Sequence, residues 1–409
     1  MIGGGAAGFF GAIACAEAHI DARVVLLEAN RTPLTKVRIS GGGRCNVTHA
    51  CFDPALLVQH YPRGGRALRG AFSRFQPRDT VAWFAQRGVT LKTEADGRMF
   101  PITDDSATIV DCLMQAARRA GVEVRTGAAV VGLTYAASGL GSTFQVELKS
   151  GEVIGGDRLL LATGSSPQGY ALAKRLGHTI EPPVPSLFTF TVADPELRSL
   201  AGVAELAQVQ LVVADQKPLE QTAPLLITHW GFSGPAVLKL SAWGARSLHD
   251  QHYQGRLQVH WLPGQSPDQI RQQLMAAKQQ QGKRAIAATC PLALPRRLWQ
   301  YLISRAAISA DQRWADLSKP QLHQLIQELT QSQHLIQGKG AFKDEFVTCG
   351  GVSLKQVDFK TMQSRLCPEL YFCGEILDID GVTGGFNFQS AWTTGWLAGQ
   401  SMGLGVVGS

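Results

Sequence analysis

The chain has 409 residues, enough for two or three domains, and its 45% hydrophobic and 17% charged composition is that of a globular protein, with no apolar run of the roughly 18 residues that a membrane span needs. Eight cysteines occur without a CxxC pair or a Cys/His spacing suited to zinc, so neither a disulfide framework nor a metal centre is expected, and a reducing cytoplasm is the expected compartment. The formal charge of +7 favours polyanions without requiring them.

The first thirty residues read as a dinucleotide-binding βαβ unit. Gly3, Gly5 and Gly8 supply GxGxxG: a tight turn, a close backbone approach to a pyrophosphate, and a close helix contact. A helix over 8–19 would offer its N-terminal N–H groups, with Ala6 and Ala7 in the turn, to that phosphate. Arg23 to Leu27 is fit for a buried parallel strand, and it ends in Glu28, with Ala29 beyond, where a carboxylate can accept ribose hydroxyls. A secretory signal is disfavoured, because the apolar stretch lacks a basic leader and runs straight into a strand. Only Met1 and Ile2 precede Gly3, where a strand usually has about 5 to 6 residues. Either the start is truncated or the sheet takes a two-residue stub, and a stub is expected to leave neighbouring ladder groups unpaired.

Residues 35–50, TKVRISGGGRCNVTHA, form a loop suited to close backbone approach to a ligand. Residues 60–78 carry Arg63, Arg66, Arg69, Arg74 and Arg78 without an acid, with Tyr61, Phe72 and Phe75 interleaved; the stretch reads as a solvated face or as a phosphate-tracking surface. Helices follow over 79–88 and 106–120, then a β-meander returns to a buried strand, Arg158 to Ala162, ending in Thr163 and Gly164 at the carboxyl edge where open sheets bind ligands. From about Phe188 short alternating runs predict a small antiparallel barrel or sandwich, and between Ser266 and about Gln333 apolar residues recur at helical spacing. The last part, 370–402, reads as strand, acid-bearing glycine turn, Gly-rich loop and a helix from about Phe388. The turn Gly384, Gly385, Phe386 and Asn387 would present backbone donors to an electron-rich ring edge. The expected organisation is therefore an α/β, doubly wound dinucleotide-binding domain over 1–187 and 338–409, a barrel-like insert over 188–265 and 334–337, and a helical subdomain over 266–333.

The motifs GGGAAG (3–8), SGGGRCNVT (40–48), GRMFPITDDSATIV (97–110), THWGFSGPAVLKLS (228–241) and the run from Thr348 to Trp392 resemble the BaiN/RdsA-like family of FAD-dependent oxidoreductases over nearly the whole chain. The resemblance implies a glutathione-reductase-type FAD domain with a barrel-like insert and a helical subdomain. It places Gly3 to Gly8 at the pyrophosphate, and Glu28 with Ala29 at the ribose. Lys36 and the loop Ser40, Gly41, Gly42, Gly43, Arg44, Cys45 and Asn46 would border the flavin, and the Val130 backbone the adenine. Ala162, Thr163 and Gly164 would flank the dinucleotide; Gly374 and Glu375 would meet the ribityl chain, and Gly384 to Gln389, Phe388 included, the ring. Two departures from the family pattern are the missing first strand and a short segment after Gly164.

One dinucleotide fingerprint and no CxxxxC beside it disfavour a disulfide reductase. Cys45 as a proton donor and His229 as acid or base are the candidate catalytic groups, each set against a structural role. Asn46, Asn387 and Gln389 are expected to hydrogen-bond the flavin ring. The function expected is hydride transfer between flavin and an unidentified substrate, with NAD(P)H as transient donor. Family members are linked to bile-acid-type enone reduction, amino-ketone oxidation and uridine reduction in ribosomal RNA, so a small molecule or ribosomal RNA is the expected partner; a non-catalytic flavin-binding protein is the third reading.

Overall fold

Ile2 lies in the middle of a parallel sheet, bridging Leu27 on one side and Leu161 on the other in a computed structural model that describes residues 1–136, 143–214, 216–340 and 347–403. The stub does not leave its neighbours unpaired. Ile2 N donates to Leu160 O (2.9 Å), Gly3 N to Leu27 O (2.8 Å), Leu27 N to Met1 O (2.9 Å) and Ala162 N to Ile2 O (2.8 Å). The flanking strands are themselves short, Val25–Glu28 and Leu159–Leu161, and the Gly3 turn begins where their ladders end. The sheet continues outward on one side to Glu123–Thr126, parallel to Val25–Glu28, and on the other to Leu370–Phe372, parallel to Leu159–Leu161, and then to the antiparallel pair Gln363–Ser364 and Val357–Asp358. A separate meander, Val130–Tyr135, Phe144–Leu148 and Val153–Gly156, and a three-stranded sheet of Thr48–His49, Arg98–Pro101 and Leu91–Thr93 belong to the same α/β doubly wound domain.

Two helices lie against each other at almost backbone contact. The first, Ala6–Ala18, is apolar nearly all round and buried accordingly. It packs on the last, Phe386–Ser401, through glycines: a Cβ on Gly395 would sit 2.6 Å from Ala7 O, and one on Gly399 2.4 Å from Gly11 O. The 35–50 segment is more ordered than a loop, containing a helical turn, Thr35–Ile39, and a tight 3-10 turn, Ser40–Gly43.

The chain divides into two compact units, Met1–Val184 with Val347–Ser409, and Pro185–Phe346. Of the 338–409 range drawn from the sequence, residues 341–346 and 404–409 lie outside the described residues. The second unit is a closed barrel in the order Phe190–Val192, Gly231–Ser233, Leu219–Thr228, Ala204–Val212, Gly255–His260, Ser332–Lys339. Helices Pro267–Gln280 and Lys319–Gln331 each start in a capping box, Ser266 with Gln269 and Ser318 with Gln321. These helices and Arg296–Arg305 share one core with the barrel, Trp299, Trp314 and Leu325 joining Leu257 and Val259. Among the described residues no helix is long and apolar enough to cross a membrane.

Candidate functional site

The three glycines of the opening turn meet three different surroundings. Gly3 has φ +110°, and a Cβ there would lie 2.3 Å from Ala162 O; a Cβ on Gly8 would lie 1.9 Å from Gly3 O. Gly5 is the N-cap of the Ala6–Ala18 helix, and its Cβ direction meets nothing within 4 Å. No side chain caps that helix. Backbone donors and the positive end of the helix dipole thus face open space beside a glycine, a cradle that fits a phosphate group.

Around the cradle the carboxyl ends of the parallel strands supply the rest. Glu28 accepts from Gly4 N (2.7 Å) and, with its other oxygen, from Asn30 N (2.8 Å), so its carboxylate is held at the strand tip beside exposed Ala29. Ala162 is buried, and Gly164 turns at φ +59°. The Thr163 hydroxyl, buried without a hydrogen-bond partner among the described residues, lies where a Cβ on Gly169 would fall 1.8 Å away. From the far end of the sequence Gly374, at φ +74°, sits where a Cβ would meet the Ala7 Cβ at 2.6 Å. This contact brings Glu375 to the same edge, where it accepts from Thr348 N (3.0 Å) and pairs with Lys36 Nζ at 2.5 Å. Val130 is buried at the start of the meander, opposite Leu148.

The 40–46 loop and the Gly384 turn are tied together. Asn46, its amide oriented by its hydrogen bonds, accepts from Gly385 N (2.9 Å) and donates to Thr48 O (3.1 Å). A Cβ on Gly385 would meet Thr48 O at 2.5 Å. Ser40 Oγ donates to Val37 O (2.9 Å); a Cβ on Gly41 would touch Asn46 N at 3.0 Å, whereas Gly42 and Gly43 open on free space.

Several side chains expected at the ring are committed elsewhere. Gln389 is fully buried; its oxygen accepts from the Thr48 and Thr80 hydroxyls (2.6 and 2.9 Å) and its nitrogen donates to Thr393 Oγ1 (3.1 Å). Its role at a ring edge is therefore corrected to that of a core cross-link. Asn387 closes on its own loop, with Gly381 N and O both at 2.8 Å. Arg44 turns to Glu94 (2.7 Å) over the Phe100 ring, and half-buried Phe388 stacks on Trp392. Cys45, at φ +60°, is wholly enclosed and packs against its surroundings, and burial pushes its thiol up to about 12, which keeps it protonated. His229 is exposed in the turn after Leu219–Thr228 of the second unit.

The arginine stretch also divides. Arg63 forms a bidentate pair with Asp380, which is fully buried, while Arg66, Arg69, Arg74 and Arg78 are exposed. Tyr61, Phe72 and Phe75 are buried and offer no stacking surface; Phe72 belongs to the inward apolar face of the helix Gly65–Phe72.

Two features escaped the sequence reading. His49 and His60 both stack on Phe386, with ring centroids 4.7 and 4.2 Å away, and Tyr61 Oη donates to Phe386 O (2.6 Å). Three separate segments make this cluster, so no local spacing announces it. Tyr170 is buried with its hydroxyl unpartnered among the described residues; burial first, then the Glu375 and Asp378 carboxylates, push the phenol up. Only an aromatic residue at the fourth position of the helix after Gly164 hinted at it.

The chain matches the HI0933-like protein Rossmann domain family over residues 1–401. It is 32% identical over 413 aligned residues to the 3-dehydro-bile acid delta(4,6)-reductase of Clostridium scindens, covering 98% of each chain. It is 30% identical to the ribosomal RNA dihydrouridine synthase of Escherichia coli strain K12, covering 98% of this chain and 97% of that one. Among solved structures, the 3-ketosteroid-delta4-(5alpha)-dehydrogenase of Rhodococcus jostii RHA1 shares the fold, with a TM-score of 0.52 at 15% identity over 98% of this chain and 95% of that one. With the glycine cradle at one end of the sequence joined to the Gly374 turn at the other, the chain belongs to the HI0933-like Rossmann family, the BaiN/RdsA-like FAD-dependent oxidoreductases that its motifs resemble.

Proposed function

We propose that this protein is a reductase that holds FAD across the Gly5 cradle, is reduced by NAD(P)H, and saturates a carbon–carbon double bond conjugated to a carbonyl. The observation that carries the reading is Gly5, which opens on free space at an uncapped helix N-terminus while Glu28 and Glu375 stand at neighbouring strand ends. In this reading Gly3 to Gly8 hold the pyrophosphate, Glu28 the ribose hydroxyls, and Glu375 with Lys36 the ribityl side. Bound FAD would supply hydride chemistry; the chain's residues bind, orient and shield it. The Gly384 turn, pinned by Asn46, presents backbone at the ring side, and the His49–Phe386–His60 stack walls that side. Both relatives' names support the bond type: a delta(4,6)-reductase of a dehydro bile acid and a dihydrouridine synthase each describe addition of two hydrogens beside a carbonyl.

A second reading, ribosomal RNA as the substrate, is favoured by the exposed Arg66, Arg69 and Arg78 and by the E. coli relative. Purified protein should show flavin absorbance, or take it up from added FAD, and lose it on anaerobic titration with NADH or NADPH. Protein that takes up no flavin would falsify the reading. Mass spectrometry of ribosomal RNA from a deletion strain separates the substrates: reduced uridine at its normal level leaves the small molecule.

A further inference from the structure

Apart from the glycine cradle, the first unit contains a cleft of about 770 Å³ between the Gly65–Phe72 helix and the Val357–Asp358/Gln363–Ser364 hairpin. Four cations line it: Arg74, Lys355, Lys360 and Arg365, all exposed. A single acid, Asp358, faces them; it lies 3.7 Å from Arg365 and also accepts from Lys360 N (3.0 Å). Arg74 donates to the Lys360 carbonyl, which fixes one wall to the other. Neither lysine ammonium has a partner among the described residues. Half-buried Phe359 adds an aromatic surface to an otherwise aliphatic lining.

We propose that this cleft is a binding site for a small phosphorylated nucleotide, whose phosphates meet Lys355, Lys360, Arg365 and Arg74 and whose base lies against Phe359. Three facts point to that chemistry. Four cations against one acid leave an excess of positive charge that a multiply charged anion neutralises. An apolar wall with an aromatic ring suits a flat base. The volume falls within the roughly 300 to 1,000 Å³ of small-ligand sites, so the site suits a free nucleotide more than a polynucleotide strand. The assignment does not rest on the flavin reading, since it concerns binding and not turnover.

The test uses the full-length protein saturated with FAD that has been reduced beforehand with dithionite under anaerobic conditions, so that no hydride passes, and titrated calorimetrically with NADPH, NADH and a short oligouridylate at low and moderate salt. NADPH is expected to bind saturably. The exposed pair K360Q/R365Q should weaken it at least tenfold, and F359A severalfold, with melting temperature and flavin content held at the parent's. NADPH tighter than NADH indicates that the extra phosphate is read. Affinity unchanged in the double variant, no binding of either nucleotide, or binding of the oligouridylate alone would each overturn the proposal.

Discussion

The glycine turns at residues 3–8 and 384–389 look alike in sequence, each glycine-rich and each opening a helix, yet they are used in opposite ways. In the first, Gly3 and Gly8 are packed against backbone, but Gly5 between them is open and meets nothing within 4 Å. In the second Gly385 is wedged against Thr48 O, and the polar side chains that follow, Asn387 and Gln389, are bonded back into the protein. Glycine spacing reports backbone geometry, whereas a polar residue beside a glycine loop reports only that a hydrogen bond is made, not with what.

The largest break of this contrast is Gly5→Val. Its backbone is extended and its Cβ direction is open, so the variant should fold with the parent's stability and lose FAD uptake altogether, measured by retained absorbance after desalting. Parent-level occupancy would remove the cradle from the site. Gln389→Ala should do the reverse: it strands the Thr48 and Thr80 hydroxyls in the core and costs roughly 3 kcal/mol in urea unfolding, while the folded fraction keeps the parent's FAD affinity.

A third measurement supplies a reference outside both turns. Burial, with Arg305 nearby, lowers His334 to about 3, so the folded second unit keeps it neutral. Between that value and the unfolded value near 6.5 the unfolded chain binds the extra proton; stability is full above about pH 6.5 and falls as pH drops toward 3. From pH 7 to pH 5 the loss from this group is about 2 kcal/mol, and His334→Gln should remove that part of the slope. An unaltered slope would mean that His334 is charged when folded. The smallest effect is expected for Asn387→Ala, which releases Gly381 at a cost of about 1 kcal/mol and changes FAD affinity less than threefold. A tenfold loss of affinity would return Asn387 to the ring edge.

The glycine positions, Glu28 at the strand tip, the barrel and the meeting of distant segments at one edge were legible because each depends on backbone form or strand and helix periodicity. What was not legible depended on partners far away in sequence. Arg63 looks like its exposed neighbours until Asp380 is placed beside it; Cys45 looks reactive until its surroundings close over the thiol. The pairing of Ile2 with both neighbours was not legible because strand length was weighed without the length of the strands it joins.

The whole second unit is inserted between Gly5 and Gly374. A ribosome therefore releases the phosphate cradle first and the Glu375 edge only after the barrel and its helices have been made. A ligand that touches both edges acts as a clasp: by mass action it stabilises only chains whose late segment has docked, so partly synthesised chains gain little from it. Cofactor supply in the cell would then set how many finished chains survive, leaving the rate at which nascent ones begin to fold unchanged.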